Sequence, residues 1–155
     1  MSEVVVRTRV RGAAAAAFRR FTAEVDGWWK RGPRFRFDPQ GREGKLAFEE
    51  GEGGRFLERF GDDDVLEVGR VLTWEPPRLF AFRLHPPAPG GGSGTRVEVR
   101  FESTDDGFTR VTLTHSGLDT VPTGGRMRAL RSTSLRNALS TWWADLLRGV
   151  APRVV

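Results

Sequence analysis

The sequence predicts an α+β fold: a curved antiparallel sheet whose inner face is covered by one long C-terminal helix. Three observations predict it. About six apolar-alternating runs follow one another through the middle of the chain. One Ala-rich segment stands before them, and one long segment with helical spacing stands after them. A sheet with one apolar face must bury that face, and a single long helix is the nearest element to cover it.

The first element, "EVVVRTRV", is β-branched and alternates from Val6 to Val10, which marks a strand. "AAAAAFRRFTAEV" follows, with Phe18, Phe21 and Val25 at helical spacing on the best helix former. "DGWWKRGPRF" carries Gly27, Gly32 and Pro33 and is expected to break that helix. Strands are then expected at 45–50, 55–60, 65–74, 78–84, 95–103 and 109–117. "GEGG" turns the first pair and "TDDGF" the last pair. "HPPAPGGGSG" reads as a surface loop. Pro76-Pro77 cannot lie inside a central strand, because proline has no N–H to donate, so it marks a stiff corner just after Trp74. The last segment, 132–149, places Leu135, Leu139, Trp142 and Leu146 on one stripe, with Ser132 or Thr133 as N-cap and Gly149 as the stop. No repeat or second domain is visible, so residues 1–155 are expected to form one domain.

The chain has no cysteine, which excludes disulfides and thiolate-held zinc or iron–sulfur centres. Its formal charge is +5, nearly all from arginine, with Lys30 and Lys45 the only lysines. Acidic residues are interleaved throughout, in "FEEGE", "GDDD" and "RVEVRFESTDD", which favours solvated faces over a polyanion site. The Arg126, Arg128, Arg131, Arg136 cluster lacks interleaved aromatics, so no nucleic-acid partner is expected. No apolar run is long enough for a signal peptide or a membrane span, and a cytoplasmic location without membrane attachment is the expectation.

The ordered set of motifs resembles the START-like, or SRPBCC, superfamily, in the branch related to the activator of Hsp90 ATPase. The residues that carry the resemblance are the opening strand and Ala-rich helix ending near Trp28-Trp29, then "EGEGGRFLERF", "GRVLTWEPPRLFAF" and "TRVTLTHSGL". Where that branch has Gly-Trp at the start of its last helix, Ser134-Leu135 stands here. The resemblance implies a helix-grip fold, in which a bent sheet grips the C-terminal helix around an apolar cavity. On that reading Pro76-Pro77 makes a rim corner and Trp74 a wall beside it.

Little conventional chemistry is available. Two histidines cannot build a multi-histidine metal site, and no metal or cofactor is expected. "GGGSGTR" lacks the Lys-Ser/Thr of a phosphate-binding loop, and no Gly-x-Ser-x-Gly is present. Strand parity singles out two polar residues. His115 shares a face with Val111 and Leu113, and Glu58 shares a face with Phe56 and Phe60. If those faces point inward, both side chains reach the cavity and can meet a ligand. The competing reading leaves them solvated or tied to backbone. The expected ligand-contacting set is Trp28, Trp29, Phe48, Phe56, Glu58, Trp74, Phe82, His115, Leu135, Leu139 and Trp142. Phe35 and Phe37 are further aromatic candidates. No catalytic residue is assigned.

The resulting expectation is binding of a small hydrophobic molecule between sheet and C-terminal helix. Two alternatives come with the resemblance: an Hsp90-type ATPase activator, or a cofactor-free cyclase or hydrolase of an aromatic or polyketide-like substrate. A purely structural interaction module is a third. A homodimer is a possible assembly.

Overall fold

A computed structural model describes residues 3–29, 44–85, 94–117, 140, 141 and 143–147. In chain order these form β1 (Val4–Arg11), α1 (Ala14–Thr22), α2 (Val25–Trp28), β2 (Lys45–Phe48), β3 (Arg55–Arg59), β4 (Val65–Glu75), β5 (Leu79–Leu84), β6 (Thr95–Ser103) and β7 (Phe108–Ser116). Residues 140, 141 and 143–147 are helical. The strands make one curled antiparallel sheet in the order β1-β7-β6-β5-β4-β3-β2. Every neighbour after β1 follows from a hairpin, and β1 closes the far edge by pairing with β7. All seven expected strands are present, with ends that differ by one or two residues.

The period-2 pattern decides which side is covered. Along β6, Val97, Val99 and Phe101 are buried while Arg96, Arg100 and Glu102 are exposed. Phe18 and Phe21 of α1, Val25 and Trp28 of α2, and Trp143, Leu146 and Leu147 of the C-terminal helical segment pack into the same core as those strand residues. Both described helical regions therefore cover one face, and the other carries charged residues such as Arg96, Glu98, Arg100 and Glu102. Each fully buried Phe contributes on the order of 2 kcal/mol through apolar area alone.

The Ala-rich segment is not one helix. It ends at Thr22, and a second short helix, Val25–Trp28, runs through Gly27, which was expected to be a breaker. The reason is packing. A Cβ on residue 27 would lie 2.8 Å from Nη1 of Arg20, so the glycine makes room for a largely buried guanidinium. Arg20 in turn donates to Glu24 Oε1 at 3.0 Å, and its carbonyl accepts from Trp28 Nε1 at 2.9 Å.

Two further details shape the sheet. The β3–β4 register shifts between Phe56 and Leu57, and Gly69 pairs with Phe56 on one side and Leu84 on the other. A Cβ at Gly69 would sit 2.0 Å from the Arg83 carbonyl oxygen, so only glycine allows the strands to approach there. The Pro76-Pro77 corner joins β4 to β5, and the Arg78 N–H donates to the Glu75 carbonyl at 2.8 Å.

Of the long helix expected over 132–149, only the part within 140–147 is described, so what is observed is a short helical segment. Leu135, Leu139 and Trp142 lie outside the described residues, as do Phe35, Phe37 and the Arg126–Arg136 cluster.

Candidate functional site

The covered face has two ends. At one end α1 lies over β4, β5 and β6. Phe18 meets Trp74 edge-on at 5.4 Å, Phe80 at 6.1 Å and Phe101 at 5.4 Å. Phe21 joins Trp28, Phe80 and Phe101. Trp74, expected as a pocket wall, is half-buried here, and its ring contacts are with Phe18 and Phe80.

The other end is built around Trp29. This residue caps α2 in extended conformation (φ −77°, ψ 105°), which turns its side chain onto the sheet. Its ring lies 5.4 Å from Phe56, 6.3 Å from Phe82 and 5.1 Å from Trp143. Phe48 stacks on Phe56 at 4.1 Å and meets Phe82 at 5.1 Å. The Asp26 carboxylate accepts from the Leu46 N–H at 2.9 Å, clipping α2 to β2 and setting the position of Trp28 and Trp29. Five of the expected residues, Trp28, Trp29, Phe48, Phe56 and Phe82, are thus brought together in the core.

Both polar candidates point to the covered side, as strand parity requires. Glu58 is fully buried beside Phe56, opposite Leu46. Its Oε2 accepts from the Gly44 N–H at 2.9 Å. His115 is 5% exposed, opposite Val97 on β6 and Val4 on β1. Its Nε2 lies 2.8 Å from Thr95 Oγ1, and its Nδ1 lies 3.2 Å from Trp143 Nε1. Indole nitrogen can only donate, so Nδ1 is the acceptor and Nε2 carries the proton, which it gives to Thr95. Burial disfavours the charged imidazolium and pulls the His115 pKa from 6.5 down to about 4. His115 is therefore a neutral acceptor near neutral pH, wired to β6 and to the C-terminal helical segment at once.

Two members of this end, Trp143 and Thr95, were not among the expected residues. A signal existed for each. Trp143, Leu146 and Leu147 recur at helical spacing and are all buried. Thr95 shares its face with Val97 and Val99, so parity pointed it inward alongside His115. Among the described residues no group of three or more His, Asp and Glu side chains is placed to hold a metal ion.

A curled seven-stranded antiparallel sheet, helices on its inner face, and rings gathered under a C-terminal helical segment define a START-like domain of the helix-grip type. The chain belongs to the family described as activator of Hsp90 ATPase homolog 1-like proteins, whose model matches residues 13–139. No curated protein matches it. Among solved structures, the Aha1 dimer from Colwellia psychrerythraea is similar at a TM-score of 0.65 and 16% identity, over 97% of this chain and 93% of that one. The anthrahydroquino-γ-pyrone synthase Txn09, complexed with SUM, is similar at a TM-score of 0.60 and 25% identity, over 96% and 97%. CalU16 from Micromonospora echinospora is similar at 0.59 and 17% identity, over 96% and 71%. Among the described residues no helix is long and apolar enough to cross a membrane.

Proposed function

We propose that this protein binds a small planar apolar molecule bearing a hydroxyl donor, at the Trp29–Phe56–Phe82–Trp143 end of the covered face. The observation that carries the reading is His115: a buried, neutral imidazole whose Nδ1 accepts from an indole on the covering segment. A ligand that lifts that segment takes the ring-on-ring contacts from Trp143 and offers its own O–H to Nδ1. A phenol satisfies both demands, and a bare hydrocarbon leaves the acceptor without a donor at a cost of about 1–3 kcal/mol. Glu58, two residues from Phe56, is the second polar contact of the same end. Leu135, Leu139 and Trp142 remain proposed contacts on the sequence reading alone.

A second reading, a cofactor-free cyclase or synthase of polyketide-like substrates, is favoured by the likeness to Txn09 over nearly the whole length of both chains. The protonation of His115 weighs against it, because an imidazole with a pKa of about 4 is a weak general base at neutral pH. Stimulation of an Hsp90 ATPase is not expected, since shared fold does not carry activity. We further propose a cytoplasmic, single-domain protein that forms homodimers, an arrangement the Colwellia relative adopts.

The test is quenching of tryptophan fluorescence by 1-naphthol and by naphthalene. Binding of 1-naphthol at least about tenfold tighter than naphthalene, with the difference erased in H115F, supports the proposal. Equal affinity for the two probes, or no binding of either, overturns it. Turnover of a polyketide-like substrate that is lost in H115F would favour the synthase instead.

A further inference from the structure

The face of the sheet that no described helix covers carries an unusual row. Arg55 of β3 pairs with Arg70 of β4, Arg70 with Arg83 of β5, and Arg83 with Arg96 of β6. The row ends at Ser116 of β7, opposite Arg96. All four arginines are exposed. Neighbouring strands lie roughly 5 Å apart, so four like charges stand side by side in direct register, an arrangement that is destabilising by itself.

Carboxylates relieve the row unevenly. Arg55 is held in a fork by Glu49, at 2.8 and 3.0 Å, and its side-chain and backbone hydrogen bonds pull the Glu49 carboxyl down to about 2. Arg70 is held by Glu67 at 3.0 Å, and that carboxylate also meets His85 at 2.6 Å. Arg96 reaches Glu98 only at 3.4 Å, and Arg100 shares the same carboxylate at 3.4 Å. Arg83, between Arg70 and Arg96, has no carboxylate partner among the described residues. Five guanidiniums thus face three carboxylates, and the deficit falls at Arg83 and Arg96.

We infer that Arg83, flanked by Arg70 and Arg96, is a binding site for a phosphoryl dianion. Arg70 is committed to Glu67 and to the Gly53 carbonyl and Arg96 leans toward Glu98, so the uncompensated guanidinium is Arg83, and a tetrahedral dianion offers it a bidentate acceptor and the charge that relieves its two like-charged neighbours. The interleaved Glu67 and Glu98 would repel a continuous phosphate backbone, so the ligand is a single phosphoryl group rather than a nucleic acid. The site lies on the opposite side of the sheet from the aromatic end and is independent of it.

The experiment is a titration with sodium phosphate at pH 7.5 and constant ionic strength, following the arginine Nε–H signals by NMR. Saturable shifts at Arg70, Arg83 and Arg96, absent with acetate, are expected. R83Q should abolish them at Arg70 and Arg96 while leaving the phosphate-free Tm equal or higher, because it removes a like charge from the row. R110Q, elsewhere on the same face, should leave the shifts intact. Non-saturating shifts, equal shifts with acetate, or shifts that persist in R83Q overturn the inference. Glycerol 3-phosphate and phosphatidic acid vesicles then separate the sources: saturation by the first assigns a free metabolite, and binding only to the second assigns a lipid headgroup.

Discussion

The two ends of the covered face are both built from aromatic rings and differ in the polar groups buried with them. Under α1, Phe18, Phe21, Phe80 and Phe101 pack edge to face, and Trp74 closes the group at the Pro76-Pro77 corner. No carboxylate or imidazole is buried among them, and the one buried charge of α1, Arg20, is paired with Glu24. Under the C-terminal helical segment, Trp29, Phe56, Phe82 and Trp143 pack just as closely, but Glu58, Thr95 and His115 are buried beside them. Apolar rings stabilise wherever they are buried. A buried carboxylate and imidazole add desolvation costs that only specific hydrogen bonds offset. An end that carries such costs is specified more narrowly than packing requires, which is why the ligand site is proposed there.

The largest expected effect starts at the first end and tests whether it reaches the second. Phe80 touches Phe18, Phe21, Trp74, Phe48 and Phe82, so F80A should lower stability by about 3–5 kcal/mol in urea unfolding. If the ends are independent, the His115 titration measured by NMR stays in place in that variant. A shift of the titration toward 6.5 would mean that the aromatic core is one coupled unit.

Acid acts on the second end. The unfolded chain's imidazole takes up its proton near 6.5, and folded His115 does so only near 4. Between those values the unfolded state binds more protons, so stability is full above pH 6.5 and falls as the pH drops. By pH 4 the loss from this group should approach about 3 kcal/mol. Urea unfolding from pH 7 to pH 4 should show this slope, and H115Q should flatten it. An unchanged slope in H115Q would place the responsible group elsewhere.

W143F has a smaller effect and separates packing from hydrogen bonding. It keeps a ring against Trp29 and removes the donor to His115 Nδ1, so stability should fall by about 1–3 kcal/mol. The proposed phenolic ligand no longer competes with an indole in this variant, so 1-naphthol should bind more tightly than to the parent chain. Weaker binding would make Trp143 a contact of the ligand rather than a stand-in for it.

The smallest effect is expected far from both ends. Glu49 and Arg55 form a bidentate pair at the surface, each side chain a little under half exposed, and E49Q should leave the Tm unresolved from the parent value at physiological salt. A clear loss there would show that the arginine row depends on that carboxylate to stay ordered.

What the amino-acid order settled by itself is local. Alternation placed all seven strands, because side chains change face at every residue and one buried face imposes its period directly. The same parity put Glu58 on one face with Phe56 and His115 on one face with Val111 and Leu113, and the tertiary structure decided that these faces are the buried ones. Helical spacing found Leu146 on a buried stripe, and family motifs named the fold. Tertiary structure decided the rest. Gly27 lies within α2 with the Arg20 guanidinium packed over it, a contact seven residues away that no local propensity records. Trp74 went to α1 and Trp29 to the far end because partners across the sheet are set by register, not by distance along the chain. Trp143 and Thr95 meet His115 from 28 and 20 residues away. The arginine row exists only through strand pairing, since Arg55, Arg70, Arg83 and Arg96 are scattered along the chain and become neighbours when four strands align. Periodicity acts on one element at a time, and a site is made where several elements meet.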